Sequence, residues 1–487
     1  MASGKSGDPK AVGYRIAEKG VSLKNFQVIV IGSGPGGYVA AIRAAINGLK
    51  TAIVEKDPFL GGTCLHRGCI PTKALLHSAE VYDECKHAGE LGISIENLKL
   101  DVATVYKRKN QIVGKLSKGI AFLMKKRNVE VFTGLGSFVD AGTIRVAGPG
   151  GEETIKGDHI VIATGSVPMS LPHMEPDGKS IINSDHILQM EEIPGRLAVV
   201  GSGAVGVEFA SIFRSFGSEV HLIELLPHLL PLEDEECAVQ LDRSFKARGV
   251  KNYVGTEVTA VAPAAGKKGA VLSLSKDGQA SSLEVDKVLV AIGRRPVTEG
   301  LGHEAIGIEM DGRFVRVDEY MRTSVPGVYA IGDVVKTPQL AHVASAEGIL
   351  AMDHIAGRHV DPIDYEKVPS CTYSLPEVAS VGLTEKTARE RGYDVRVGKF
   401  PFSAIGKAMI VGETGGFIKI VSEARYDEVL GVHIIGPKAT ELIAEACLGM
   451  KLETTVEEIA HTVHAHPTLS EAMLEAAHGV YGEAIHI

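Results

Sequence analysis

Gln27-Val-Ile-Val-Ile-Gly32-Ser-Gly34-Pro-Gly-Gly37 is a short apolar run that breaks into G-x-G-x-x-G, and its reading decides how the first part of the chain folds. A strand, the glycines and then a helix-like segment, Tyr38 to Asn47, open a βαβ unit. The next strand, Thr51-Ala-Ile-Val, ends in Glu55, 23 positions beyond Gly32 (55 − 32). That is close to the roughly 20 expected between a phosphate turn and an acid facing a ribose. Gly32, Gly34 and Gly37 let the backbone approach a pyrophosphate, whose charge suits the positive N-terminus of the helix. One such motif is weak evidence, because glycine-rich turns are common.

The device returns. Leu197-Ala-Val-Val-Gly201-Ser-Gly203-Ala-Val-Gly206 is followed by a helix-like Val207 to Phe216 and by Val220-His-Leu-Ile-Glu224, again 23 positions on (224 − 201). Two copies in register predict an α/β chain with two Rossmann-like dinucleotide-binding domains. A carboxylate at Glu224 repels a ribose 2′-phosphate, so the second site is expected to prefer NAD to NADP. A solvated strand-end residue is the alternative for Glu55 and for Glu224. Ile160-Val-Ile-Ala-Thr164-Gly165-Ser166 and Val288-Leu-Val-Ala-Ile-Gly293-Arg294-Arg295 are apolar strands ending in small residues, each returning the chain to its nucleotide unit. Val328-Tyr-Ala-Ile-Gly332-Asp333 is another strand-to-turn, where Asp333 is either a helix cap or a ligand to a sugar chain. From about Asp364 the pattern changes to a strand pair, Gly416 to Val421 and Val429 to Gly436, with helical stretches at Thr440 to Lys451 and Thr455 to His464. This reads as a separate antiparallel α+β domain.

At 487 residues the chain is too long for one compact unit, and 45% apolar with 23% charged residues is an ordinary globular balance. A net charge of −9, no Trp and 5% aromatics argue against a nucleic-acid partner. Lys107-Arg108-Lys109 and Lys125-Lys126-Arg127 read as solvated helix faces. No apolar run approaches the roughly 20 residues that cross a bilayer, and residues 1–26 have no hydrophobic leader core, so the expected location is cytoplasmic, with no membrane partner. The first residues are polar and Gly/Ser-rich and read as a flexible extension. Cys85, Cys237, Cys371 and Cys447 are scattered and read as buried small hydrophobes.

Cys64 and Cys69 differ from these. Gly61-Gly-Thr-Cys64-Leu-His-Arg-Gly-Cys69-Ile-Pro71-Thr-Lys73 puts two thiols at the start of a helix, with Pro71 in its first turn. The spacing is too long for C-x-x-C and does not suit a zinc knuckle, while a helix N-terminus favours thiolate. On spacing alone, an incidental pair of reduced cysteines remains the alternative.

G-G-T-C-x-x-x-G-C-I-P-T-K, placed just after a first βαβ unit, resembles the redox signature of the pyridine nucleotide-disulfide oxidoreductases, and within them the branch that oxidises dihydrolipoamide. The likeness runs from about Asn25 to the C-terminus, in the order dinucleotide fingerprint, cysteine pair, A-T-G-S, second fingerprint, Y-A-I-G-D and H-x-H-P-T-L-S-E from His464 to Glu471. It implies a tightly bound FAD at the first site, near Gly32, Gly34, Gly37, Glu55, Lys73, Thr164, Gly165, Asp333 and Ala341. NAD is implied at the second, near Gly201, Gly203, Gly206, Glu224 and Gly293. It makes Cys64 the interchange thiol, Cys69 the thiol beside the flavin, Lys73 and Glu208 a pair near the flavin ring, and His466 an acid/base held by Glu471 and lent across a homodimer. The implied division is an extension over 1–25, an FAD-binding domain over 26–166, an NAD-binding domain over 167–293, a central domain over 294–363 that completes the FAD site, and an interface (dimerisation) domain over 364–487. Lipoyl carrier domains of 2-oxo acid dehydrogenase or glycine cleavage systems are the implied partners.

Plainer readings stand beside these. Thr468-Leu-Ser-Glu471 is also a capping box, Lys73 also an exposed helix lysine, and no sequence-adjacent carboxylate or cysteine makes His461, His464 and His466 a metal set, so no metal is expected. Leu65-His66-Arg67-Gly68 departs from the Leu-Asn-Val-Gly common in the family, and two potentially cationic residues there are expected to shift the thiols or their potential. The rival functions are a glutathione or mercuric reductase-like enzyme, or a non-catalytic flavoprotein scaffold or NADH-sensing subunit. Glu224, Gly206 and the absence of cysteines from the last residues disfavour the former.

Overall fold

A computed structural model describes residues 23–264 and 268–487. The extension expected over 1–25 lies outside these residues except for its end, where Lys24 and Asn25 already belong to a strand. Among the described residues no helix is long and apolar enough to cross a membrane.

The first unit is built by β1 (Lys24–Ile31), α1 (Pro35–Ile46), β2 (Thr51–Glu55), α2 (Gly62–Arg67), α3 (Cys69–His87), α4 (Val102–Lys126), β3 (Glu130–Thr133), β4 (Leu135–Asp140), β5 (Thr143–Gly148) and β6 (Gly151–Ile162). Its sheet runs β3-β2-β1-β6-β5-β4. Strands β3, β2, β1 and β6 are parallel, and Val28, Ile29, Val30, Ile53 and Ile160 to Ile162 are fully buried, as expected of β-branched strands covered on both faces. Helix α1 starts at Pro35, directly after the second glycine, and so earlier than the sequence pattern placed it.

A crossing strand, β7 (Ser166–Pro168), leads to the second unit: β8 (Ile181–Ile182), α5 (Ser184–Ile187), β9 (Arg196–Val200), α6 (Ala204–Phe216), β10 (Glu219–Ile223), α7 (Glu235–Ala247), β11 (Lys251–Tyr253), the hairpins of β12 (Glu257–Pro263), β13 (Ala270–Lys276) and β14 (Gln279–Val285), and β15 (Lys287–Val290). Its parallel sheet has the order β11-β10-β9-β15-β8. The chain then returns through β16 (Arg294–Pro296), β17 (Met310–Asp311) and β18 (Phe314–Val315) to β19 (Val328–Ala330), which pairs with β6 in the first sheet. Helix α8 (Ala341–Ile355) packs on α1, where Arg43 makes a forked ion pair with Asp353 at 2.7 and 2.5 Å.

The last unit contains β20 (Ser370–Thr372), β21 (Glu377–Gly382), α9 (Glu385–Glu390), β22 (Val395–Pro401), α10 (Gly406–Val411), β23 (Phe417–Glu423), β24 (Val429–Gly436), α11 (Ala439–Lys451), α12 (Val456–His461) and α13 (Glu471–Val480). Its antiparallel sheet, β20-β21-β24-β23-β22, pairs Phe417 with Ile435 as the alternating sequence pattern requires. Of the two helical stretches expected here, α11 is found to within one residue and only α12 is shorter, because the chain leaves it at Thr462 in extended conformation.

Two surface expectations change. Lys109 is buried, its ammonium on the Leu188 carbonyl and 5.0 Å from the Tyr106 ring centre, so one face of α4 is packed rather than solvated. Of the four scattered cysteines only Cys237 is fully buried; Cys85, Cys371 and Cys447 are half-exposed.

The second and last units are locked by Lys419, whose side chain is 2% exposed. Its ammonium lies 3.1 Å from Asp234, 2.9 Å from Glu385 and 3.3 Å from Glu236. Burial works against the charge, and the hydrogen bonds that Lys419 donates to Glu385 and Asp234 overcome it, holding Lys419 above the usual lysine range. Lys399 reaches Glu236 at 3.0 Å and Arg389 reaches Glu385 at 3.0 Å, so three cations face three carboxylates. Lys419→Met is expected to cost about 3 kcal/mol of unfolding free energy by leaving buried Asp234 without its counter-charge, against about 0.5 kcal/mol for exposed Lys399→Met. Urea unfolding checks this; equal losses would mean the buried charge is solvated.

Candidate active site

The loop that carries the thiols is pressed onto the first glycine turn. A Cβ on Gly62, at φ 58°, would meet Gly34 Cα at 2.5 Å, so glycine here permits contact between the two segments. The thiols do not share one helix. Cys64 sits in the short α2, the chain breaks at Gly68, and Cys69 is the first residue of α3, with Pro71 in the opening turn. Cys69 therefore lies at the positive end of a 19-residue helix.

Both cysteines are free thiols and half-buried. The hydrogen bond from Cys64, opposed by burial and aided by the Lys73 ammonium, pulls the Cys69 thiol down to about 7. Cys64 moves the other way: its bond to Cys69, burial and the charge of its neighbour push it up. The pair thus ionises first at Cys69, with Cys64 as the donor. Lys73 Nζ grips both oxygens of buried Glu208, on α6, at 2.7 and 2.8 Å, and lies 4.5 Å from the Tyr373 ring centre. The Tyr373 N–H adds a bond to Glu208 at 3.1 Å. Lys73 is thereby a paired cation beside the thiols rather than a loose surface lysine.

His66 and Arg67 turn away from the sulfurs. The Arg67 guanidinium pairs with Asp57, His66 Nε2 lies 2.9 Å from the Leu60 carbonyl oxygen, and the His66 ring stacks on Phe59 at 5.9 Å. The groups that set the thiols are the two sulfurs themselves, Lys73 and Glu208. In this departure from the family pattern, both side chains brace the loop after Glu55.

The two glycine turns are built alike. A Cβ on Gly37 would lie 1.9 Å from the Gly32 carbonyl oxygen, and one on Gly206 1.9 Å from that of Gly201, so the third glycine is required for strand and helix to pack. Nothing lies within 4 Å of a Cβ on Gly34 or Gly203, which leaves the space a pyrophosphate needs. Glu55 is buried and accepts from the Ser33 N–H and hydroxyl at 2.9 and 2.5 Å, and from Asp57 N at 2.9 Å. Glu224 repeats this with Ser202 at 2.8 and 2.7 Å and Leu226 N at 2.9 Å. Neither carboxylate is a solvated strand end. These residues fit two dinucleotides, and Leu225 and Leu226 beyond Glu224 offer no cation to a 2′-phosphate.

Asp333 lies in the turn after β19 and accepts from the Ser166 hydroxyl, which in turn receives the Arg294 Nε–H at 2.7 Å. It is no side-chain cap for α8. The buried Glu347 fixes the preceding residue, accepting from Gly332 N at 2.6 Å. Thr164 and Gly165 stand at the end of β6, Gly293 in the turn before β16, and Ala341 is the first residue of α8. Ser33, Ser202, Ser166, Arg294, Glu347 and Tyr373 were not singled out from sequence; only the serine repeated in both G-S-G turns carried a legible signal.

His466 forms a separate group. Its Nδ1 lies 2.8 Å from Glu471 Oε1, its ring is 78% exposed, and Glu471 Oε2 accepts from Thr468 N at 2.8 Å. Glu471 therefore both steadies the imidazole and ties off the entry to α13. Burial opposes its charge, and the Thr468 N–H and His466 outweigh this to hold it below the usual carboxylate range. His464 has its own carboxylate, Glu445, at 2.8 Å, and among the described residues no three His, Cys, Asp or Glu side chains cluster as metal ligands.

Residues 26–348 match the family model described as pyridine nucleotide-disulphide oxidoreductase, and residues 368–477 match the dimerisation domain of the same family. The chain is 45% identical over 470 residues to a dihydrolipoyl dehydrogenase of Bacillus subtilis, covering 95% of this chain and 99% of that one. It is 44% identical over 464 residues to a mitochondrial dihydrolipoyl dehydrogenase of Pisum sativum, covering 94% and 92%. Among solved structures, LpdA from Mycobacterium tuberculosis superposes with a TM-score of 0.86 at 29% identity, covering 93% of this chain and 99% of that one. Glycine turns, a vicinal thiol pair beside a Lys–Glu couple, and these matches along almost the full length agree: the chain belongs to the pyridine nucleotide-disulphide oxidoreductase family.

Proposed function

We propose that the chain oxidises dihydrolipoyl groups to lipoyl groups with NAD as the final acceptor. The observation that carries this reading is the Cys64–Cys69 pair held between the first glycine turn and the Lys73–Glu208 couple. When bound, FAD takes the electron pair released by the thiols and delivers it as hydride to NAD.

The remaining work falls to the chain's own residues. A substrate thiol gives its proton to His466, and the resulting thiolate attacks Cys64 of the Cys64–Cys69 disulfide. The S–S bond breaks and Cys69 leaves as thiolate, which suits a thiol lowered to about 7. The second substrate thiol then attacks the substrate sulfur of the mixed disulfide, its proton passing to the departing Cys64 sulfur, and the lipoyl ring closes. Two electrons and two protons leave the substrate. Lys73, anchored by Glu208, favours the thiolate at Cys69, and Glu471 keeps the imidazole oriented. Glu55 and Glu224 hold the ribose of FAD and of NAD, and Asp333 holds the flavin's sugar chain.

In this proposal the thiols of one protomer are served by His466 of the partner subunit, because the dimerisation domain carries that histidine and its ring is open to solvent. Residues 26–166, 167–293, 294–363 and 364–487 act as the FAD, NAD, central and interface domains. The substrate arrives on a lipoyl carrier domain. A cytoplasmic site of action is proposed with it, since a cycling dithiol needs reducing surroundings. A steady-state comparison tests the reading: dihydrolipoamide with NAD is expected to be turned over at least about 100-fold faster than glutathione disulfide with NADPH. The reverse preference rejects it.

A further inference from the structure

Glu475 lies one helical turn beyond Glu471 on α13 and is buried. After Val480 the chain doubles back onto it: Ile485 N donates to Glu475 Oε2 at 2.9 Å, and His486 Nδ1 meets Oε1 at 2.6 Å. A second histidine–carboxylate pair thus stands beside the His466–Glu471 pair, on the same helix face. Burial opposes ionisation of Glu475, and the bonds from His486 and the tail N–H groups overcome it, holding its carboxyl below the usual range. The charge of His486 is felt at Glu471 as well.

We infer that Glu475 and His486 are positioning residues that set the charge around the His466–Glu471 pair and so fix the pH range in which dithiol oxidation runs. The inference rests on the acid/base reading of His466. Other charged groups on the elements packed around α13 are engaged elsewhere: His464 with Glu445 at 2.8 Å, Lys399 with Glu236 at 3.0 Å, Lys419 with Asp234 at 3.1 Å and Tyr481 with Asp427 at 2.6 Å. Arg396 faces Tyr481, while Glu457, Glu458, His461 and Glu483 are exposed and His478 is half-buried.

The signs follow from the charges. Glu475 favours a cationic His466, and a cationic His486 opposes it. His486→Asn leaves the carboxylate unopposed and moves the acid limb of kcat/KM for dihydrolipoamide to higher pH. Glu475→Gln moves it to lower pH. Each displacement is expected at about 0.3 pH unit at low salt, since both imidazoles are exposed, and to shrink in 1 M KCl. The full-length holoenzyme is assayed with NAD, with flavin content measured alongside. Should Glu475→Gln fail to fold, His486→Lys replaces it and is expected to lower the limb where His486→Asn raises it. Opposite, salt-sensitive displacements support the inference. Displacements of one sign, or profiles that coincide with the native enzyme, overturn it. His466→Ala separates the two readings: an inactive His466→Ala with coincident profiles sinks this inference alone, and a fully active His466→Ala sinks both.

Discussion

Cys64→Ser is expected to lower NADH production from dihydrolipoamide by at least about 10³-fold while leaving FAD bound, because without the Cys64 sulfur the pair cannot form the disulfide that the substrate thiolate opens. A serine hydroxyl can still donate a hydrogen bond to Cys69, so the local packing and the thiolate at position 69 should survive. The cofactor contacts proposed for the first unit are made by the glycine turn, Glu55 and Asp333, none of which touches the Cys64 sulfur. The loss should therefore be one of rate and not of folding or flavin content. Absorbance of the purified variant and its steady-state rate settle the matter together. Turnover within tenfold of the native enzyme would remove the thiol pair from the reaction; a colourless variant would show that Cys64 acts on cofactor retention instead.

His466→Ala should slow the oxidation of dithiol by about 10² to 10⁴-fold and leave reoxidation of the prereduced enzyme by NAD within about twofold, the range expected when one acid/base group is lost from one half-reaction. The asymmetry follows from position. His466 contacts Glu471 and lies open to solvent, whereas the charges acting on the thiols belong to Lys73 and Glu208. Glu471→Gln should follow in the same direction with a smaller loss, because it removes the charge that steadies the ring but leaves the Thr468 N–H a partner. Stopped-flow measurement of each half-reaction is the check, and equal slowing of both halves counts against an acid/base role.

Much of this architecture could be read directly from residue order. The two G-x-G-x-x-G turns with their strand-end glutamates predicted two βαβ dinucleotide-binding units, and the structure has both, one on a mixed sheet and one on a parallel sheet, because glycine spacing and buried β-branched runs are local signals. The strand at Val328 was legible, but its pairing with β6 was not, since a three-residue strand whose partner lies 168 positions away (328 − 160) carries no sign of that partner. The same limit hid Tyr373, which reaches Lys73 and Glu208 from the last unit. The break at Gly68 was missed for a different reason: a single glycine, at φ −143° and ψ −117°, separates α2 from α3, and one residue leaves no periodic signal. His66 and Arg67 read as cations near sulfur because sequence distance says nothing about direction, and their side chains bond to the other side of the loop.

The ion set around Lys419 bears on how such chains can be recombined. Two of its six charges, Asp234 and Glu236, come from the start of α7, and four come from the last unit: Glu385 and Arg389 on α9, Lys399 on β22 and Lys419 on β23. A chimaera that grafts the C-terminal unit of a relative onto residues 23–363 of this chain brings Asp234 and Glu236 against whatever the donor places opposite. Unless the donor supplies matching cations, the graft inherits unmatched acids at its seam, so successful exchanges should occur in complementary sets and not residue by residue.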